Sequence, residues 1–477
     1  MRKPFLFLAV IPLLAACASN KPVRAPQIST PAAFEAQTQV AAAPLDHWWT
    51  AFNDPQLTAL VEEALANSPD ARTAQARLAE ARATRSANIY GAWPQGDLSG
   101  NASVRDNSQL SGAPNQSGVP NQFLASGRSE TYSLTFDVSW EIDLFGRTRI
   151  ARRAVENDFA AKVFNIEGTR AALAANVADS LFSARGLAQQ IEDAKSAGAI
   201  ARERQRVADL LADRGLGSTA DARRIAADVS QTDANLVQFE ADLAAARRSL
   251  LVLLGRGTAA RDSLVVAPDL GAPPLPPATV PGELLQRRPD VREAEERLAV
   301  AIARLKVDRL ALFPKFTILP GVGLNRSDQS FGGVPSTSST FDWSAGLGVS
   351  VPVLSRPALL AEARASDARA EQAVIAYEKA VQTAYGEADN ALLQLAADRN
   401  RLVLLEAGEV QARQAYDANR QLYGAGLTDL TTLLQTEQAW RAARTATTSA
   451  RTQALRRSVQ TFKALGGGWT LPGDPSA

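Results

Sequence analysis

The chain has 477 residues, 46% of them hydrophobic, and 51 Lys and Arg stand against 50 Asp and Glu for a formal charge of +1. That balance argues against a polyanion, so nucleic acid is not an expected partner. Beyond the first twenty residues no uninterrupted apolar run reaches the eighteen or so that a spanning helix needs, so if the mature chain crosses a membrane it does so with strands.

Residues 1–16 read as an export signal, with Arg2 and Lys3 before a short apolar stretch at 5–14. Leu14, Ala15, Ala16 and Cys17 then form a tetrad that looks like the lipobox of bacterial lipoproteins, whose cysteine becomes the acylated first residue; the alternative is a chance cysteine after an ordinary signal. Cys17 is the only cysteine, which excludes an internal disulfide and any cysteine-rich metal site. Residues 17–44, rich in Ala, Pro, Gln and Thr, are expected to form an extended tether.

The remainder is a repeat. NSPDARTAQARL (67–78) matches RRPDVREAEERL (287–298), which sets Pro69 and Pro289 220 positions apart, and the same offset pairs Trp93 and Pro94 with Phe313 and Pro314. LFGR (144–147) pairs with VLSR (353–356), and Gly215 and Gly255 pair with Gly426 and Gly466. The expected organisation is repeat 1 over 45–255, a Pro-rich linker over 256–281, repeat 2 over 282–466 and a tail over 467–477.

Each repeat opens with one predicted helix (about 56–91 and 282–312), stopped by Pro94 or Pro314. A β-hairpin follows (about 95–144 and 315–353), with Gly-, Ser- and Asn-rich loops at about 106–128 and 326–340. TYSLTFDVSWEIDLFGR (131–147) alternates apolar and polar residues, and 341–353 repeats the pattern. Such a strand could cover a soluble core, but its length of about ten residues is that of a tilted bilayer-spanning strand, and lipid tolerates only a closed sheet. Four strands cannot close a barrel, so copies must associate. On this reading Tyr132, Phe136, Trp140, Phe341 and Trp343 face lipid while Asp137, Glu141, Asp143 and Asp342 face a wet lumen.

Each repeat ends in a long helical hairpin. No proline interrupts 147–211, which as one helix is about 100 Å long, and Val374, Tyr377, Val381, Tyr385, Ala388, Leu392 and Leu395 step like a coiled-coil seam. Glycine-containing turns at 214–218 (RGLGS) and 424–428 (GAGLT) reverse the chain, and the return helices stop at Gly255 and Gly466.

Together these features resemble the outer-membrane efflux factor family, the TolC-like channels, and within it the NodT-type lipoprotein branch. The resemblance is carried by DHWWTAFNDPQL (46–57), the paired SPDAR and RPDVR segments, DLFGR (143–147) and YGAGLTDLTTLL (423–434), in the family's order and spacing over nearly the whole mature chain. It implies a mixed α and β fold: a homotrimer in which each subunit gives four strands to a twelve-stranded transmembrane barrel and long helices to an α-helical barrel. It further implies passive conduction of drugs, solvents or metal ions, delivered by an inner-membrane, proton-driven pump through a periplasmic adaptor. The adaptor would meet Arg214, Gly215, Gly217, Ser218, Gly424, Gly426 and Thr428 at the tips.

Many members carry acids at the tunnel entrance, where this chain has Thr432 and Gln435; Asp429 is the nearest acid, with Asp221 read as its counterpart, and either aspartate could be an ordinary surface carboxylate. The departure leaves little basis for an acidic, cation-selective gate. The resemblance implies no cofactor beyond diacylglyceryl and N-acyl lipid on Cys17, and no enzyme activity. His47, the sole histidine, stands in the opening motif where packing is the expected role, and no phosphate loop or nucleophile elbow is present. The rival functions are the channel of a type I protein secretion system and a periplasmic coiled-coil scaffold held by lipid alone.

Overall fold

A computed structural model describes residues 22–35, 45–107, 127–331 and 334–469. The expected signal peptide, Cys17, much of the tether, most of the first hairpin loop and the tail from 470 lie outside the described residues. The elements run α1 (Pro55–Asn67), α2 (Pro69–Tyr90), β1 (Gln95–Asn107), β2 (Gly127–Ile142), α3 (Arg147–Asp213), α4 (Thr219–Leu253), α5 (Pro281–Arg287), α6 (Pro289–Leu310), β3 (Lys315–Phe331), β4 (Val334–Ser350), α7 (Arg356–Gly424) and α8 (Leu430–Ala464). They form two compact units, one built on 82–159 and 297–374, the other on 26–81, 160–296 and 375–469.

The first unit holds one antiparallel sheet in the order β1-β2-β3-β4. The strands outrun their expected lengths: residues 326–331 and 334–340, expected as loop, are strand, and Arg326 pairs with Ser339 and Asp328 with Thr337. Serine and threonine there satisfy a ladder as readily as a turn once the partner strand is in register. Beneath the sheet Phe145 packs on Phe313 at 5.2 Å, and Arg85 joins α2 to α3 through Glu156 while lying 5.6 Å from the Phe159 ring centre.

The second unit contains the main core. The 3-10 turn Trp48–Phe52 buries Trp48 completely: it stacks on Phe462 at 5.7 Å and meets Phe52 edge-on at 5.9 Å. Asp54 caps α1 by accepting from the Leu57 amide and pairs with the buried Arg185 of α3. Alanines 174, 178, 184 and 188 line the buried face of α3. Gly186 lets α8 come close, since a Cβ there would lie 2.5 Å from Thr452 Oγ1. Arginines stitch α8 to its neighbours: Arg456 forks onto Asp179 at 2.8 and 3.0 Å, Arg444 reaches Asp193 at 2.7 Å, and Arg451 pairs with Glu406 of α7 at 2.5 Å.

Residues 22–35 carry no helix or strand; within the second unit the Gln27 and Glu35 amides donate to Glu378 and Asp389 of α7, and Phe34 stacks on Tyr385. The linker's Pro273 carbonyl accepts from Arg399 at 2.8 Å.

The single opening helix expected in each repeat is two helices. Ser68 and Arg288 are extended (ψ 151° and 119°) because the proline that follows disfavours the helical region for its predecessor, and Pro69 and Pro289 then start new helices, where a missing N–H costs nothing. Into each break fits the glycine that ends a return helix. Gly255 (φ +77°) would bring a Cβ within 2.8 Å of the Asn67 carbonyl oxygen, and Gly466 (φ +81°) within 2.9 Å of the Arg287 carbonyl. Both positions need glycine for conformation and for space.

Candidate functional site

In an antiparallel ladder directly opposed residues share a face. One row reads Leu98, Phe136, Val322, Trp343; the next reads Asp97, Asp137, Gly321, Ser344. Tyr132, Phe136, Trp140, Phe341 and Trp343 therefore lie on one apolar face, all at least 43% exposed within the single chain, and Asp137, Glu141 and Asp342 lie on the other. Gly321 and Gly323 make room there: a Cβ would come 2.8 Å from Asp137 Oδ1 and 2.7 Å from Asp342 Oδ2 respectively. Asp97, directly opposite Asp137, is a further acid on the polar face that the alternation of β1, weakened by Gly96, Gly100 and Ala102, did not bring out.

Asp143 corrects the expectation of a lumen residue. It lies past the end of β2, where its carboxylate accepts from the Thr148 and Arg149 amides at 3.2 and 3.0 Å and caps the start of α3. Glu141 is held by Arg147.

The face assignment has a direct check. Phe136→Arg, near the middle of the apolar face, puts a charge at mid-bilayer depth and should cost about 2–4 kcal/mol, cutting the amount of heat-resistant trimer in membranes. Thr135→Arg, on the polar face, should leave that amount unchanged.

At the hairpin tips, Gly215 (φ +71°) and Gly426 (φ +74°) take the left-handed conformation. The Leu216 amide donates to the Leu211 carbonyl at 2.8 Å and the Leu427 amide to the Leu422 carbonyl at 2.9 Å, closing each helix in the same way. Gly217 faces Leu211 with only 2.9 Å for a Cβ, whereas Gly424 has open space. Leu216 and Leu427 stand 75% and 74% exposed, a matched pair that the glycine-centred reading passed over.

Ser218 caps α4 through the Ala220 and Asp221 amides, and Asp429 caps α8 through the Thr432 amide (2.8 Å) and hydroxyl (3.0 Å). The true counterparts are thus Ser218 with Asp429 and Asp221 with Thr432: cap and third residue have exchanged acid and hydroxyl between repeats. Gln435 is exposed one turn further on. The Thr432 amide and hydroxyl hold the Asp429 carboxyl below its usual range. A depressed folded-state value means that the cap's contribution is present above the unfolded carboxylate range and is lost as pH falls through the folded value. Asp429→Ala should speed amide exchange over 430–433 at neutral pH, and the difference from the native chain should shrink in strong acid.

Two turns beyond Asp429, four helices meet at a buried charge cluster that no sequence motif marked. Glu437 of α8 is 1% exposed and pairs with Arg204 of α3 and with Arg441. Arg441 also reaches Asp228 of α4 at 3.1 Å, and Arg204 donates to Tyr416 of α7 at 3.2 Å, whose ring stacks on Trp440 at 5.1 Å. Burial pulls the Arg204 guanidinium below the usual arginine range against its hydrogen bond to Tyr416. Among the described residues no His, Cys, Asp and Glu cluster fits a metal, and no helix is long and apolar enough to cross a membrane. His47 packs edge-on to Trp49 at 5.2 Å.

The profile of the family described as outer membrane efflux protein matches residues 60–256 and 280–467. The chain is 30% identical over 489 residues to the pyoverdine export outer membrane protein OpmQ of Pseudomonas putida, covering 97% of both chains. It is 25% identical over 435 residues to the cation efflux system protein CusC of Escherichia coli O157:H7, covering 88% of each. Among solved structures the outer-membrane channel OprN superposes with a TM-score of 0.80 at 30% identity over 95% of this chain and 100% of that one. The open-state MtrE channel of Neisseria gonorrhoeae, at 23% identity and a TM-score of 0.81, has the same fold. This is the fold of a trimeric channel in which each subunit gives four strands to one barrel, and among the described residues the unpaired edges of β1 and β4 are what that assembly requires. The chain belongs to the outer membrane efflux protein family, the outer-membrane channels of efflux pumps.

Proposed function

We propose that this protein is the exit duct of a tripartite efflux system, conducting small molecules passively across the outer membrane after a proton-driven inner-membrane pump delivers them through a periplasmic adaptor. The observation that carries the reading is the four-stranded sheet with one apolar face, one polar face bearing Asp97, Asp137 and Asp342, and two open edges. Such a sheet is stable in lipid only when copies close it around water. Relatives named for pyoverdine, antibiotic, toluene and cation efflux support small-molecule cargo over secreted protein. The tips carry the adaptor contact, with Leu216 and Leu427 as apolar knobs beside Gly215, Gly217, Gly424 and Gly426. Cys17 carries the lipid, and the chain performs no chemistry of its own.

Purified protein in planar lipid films tests the duct. Stepwise ion conductance is expected, together with higher drug or solvent sensitivity when the gene is deleted; a monomer that never conducts overturns the proposal. Cys17→Ser should remove the acyl mass from the mature N-terminal peptide.

A further inference from the structure

The apolar face of the sheet ends abruptly. On β2 it runs from Tyr132 to Ile142, ten residue steps that at about 3.3 Å each and a tilt of about 40° span about 25 Å, the full height of a lipid-facing band. Beyond Tyr132, toward the hairpin ends, the same face turns charged: Glu130 and Arg128 on β2, Arg326 and Asp328 on β3, with Asp106 opposite Arg128. This belt sits where the hydrocarbon stops and headgroups begin.

Its charges are layered. The side chains of Glu130 and Asp328 are 29% and 30% exposed, while those of Arg128 and Arg326 are 63% and 60% exposed. Arg326 contacts Asp328 through Nε at 3.0 Å, Arg128 contacts Glu130 at 2.8 Å, and Tyr132 donates to Glu130 at 3.1 Å. The acids thus steady two arginines that present themselves outward, and an arginine has five donors to share. Directly below Arg326 a groove of about 730 Å³ opens where Gly100 and Ala102 offer no bulk, walled by Leu134, Leu324 and Phe341. An apolar trough headed by an exposed guanidinium matches an acyl chain that ends in a phosphorylated headgroup.

We infer that this belt and groove dock lipopolysaccharide of the outer leaflet, one acyl chain lying against Leu134, Leu324 and Phe341 and a sugar-linked phosphate held by Arg326 and Arg128. Charge-assisted contacts to phosphate give the site its selectivity, and the trough continues the lipid-facing band. The inference rests on the barrel reading of the sheet.

The trimer in mild detergent is titrated with rough lipopolysaccharide, with the same lipid after enzymatic removal of its phosphates, and with phosphatidylglycerol, and bound lipid per chain is counted by native mass spectrometry. The unaltered protein should hold the phosphorylated glycolipid at least about tenfold more tightly than its dephosphorylated form, the size expected for lost charge-assisted hydrogen bonds, and also more tightly than phosphatidylglycerol, whose diester phosphate offers the arginines a single charge and no monoester oxygens. Equal retention of the dephosphorylated form or of phosphatidylglycerol overturns the proposal without any variant. The double variant Arg128→Gln, Arg326→Gln should lose that preference while still forming conducting trimers, and Arg105→Gln, on the opposite face at the same height, should keep it. Retention by the double variant, or equal loss in Arg105→Gln, also overturns it. Conducting trimers that show no preference sink the docking site alone, whereas failure of the unaltered protein to conduct sinks the barrel.

Discussion

Trp48→Ala should lower the stability of the helical unit by about 3–5 kcal/mol, the range for emptying a fully buried aromatic site. The indole is 0% exposed, stacks on Phe462, meets Trp49 and Phe52 edge-on, and sits beside Gly467 and Gly468 where the chain returns from α8. Its ring ties the opening segment to the last helix, so the cavity cannot be refilled by one neighbour alone. Loss of helical circular dichroism on heating the trimer in detergent is the measurement, and a midpoint lowered by several degrees is expected. Trp48→Phe should be milder, because the indole Nε1 is buried without a hydrogen-bond partner among the described residues and removing it gives up packing alone.

Glu437→Ala is the second large effect, about 3–5 kcal/mol, because it leaves Arg204 and Arg441 as buried charges without their shared carboxylate. The loss should concentrate near the tips: amide exchange should accelerate in α3, α4, α7 and α8 around residues 204, 228, 416 and 437, while the segments packed on Trp48 keep their protection. Adding Arg204→Met to Glu437→Ala should restore part of the loss by removing one stranded charge. A double variant no more stable than the single one would show that Glu437 acts by filling space and not by pairing.

Period-two alternation made the sheet legible, since each strand has one apolar face and a one-residue slip would invert it. Phe136 and Trp343 share a face across Val322 because 131–144 and 341–353 each alternate cleanly. The stretch 326–340 misled because its Ser, Thr and Gly read as loop, yet near the membrane rim a ladder can be polar on both sides. The broken opening helices were signalled by Pro69 and Pro289, and the period on either side continues so smoothly that it masked the extended residue before each proline. Asp143 followed the strand's parity one step too far, into the cap of α3. The Glu437 cluster draws on positions 204, 228, 416, 437 and 441, contributed by four helices; no local spacing announces it, though a glutamate set in step with Leu433, Leu434 and Trp440 is a conspicuous acid on an apolar stripe.

The two glycines seated in the two helix breaks bear on how the halves have grown apart. At Gly255 against Asn67, and at Gly466 against Arg287, main chain rests on main chain. A joint of that kind depends little on what the surrounding side chains become, so the two halves can diverge widely in sequence while the prolines and glycines that shape the joint stay in place.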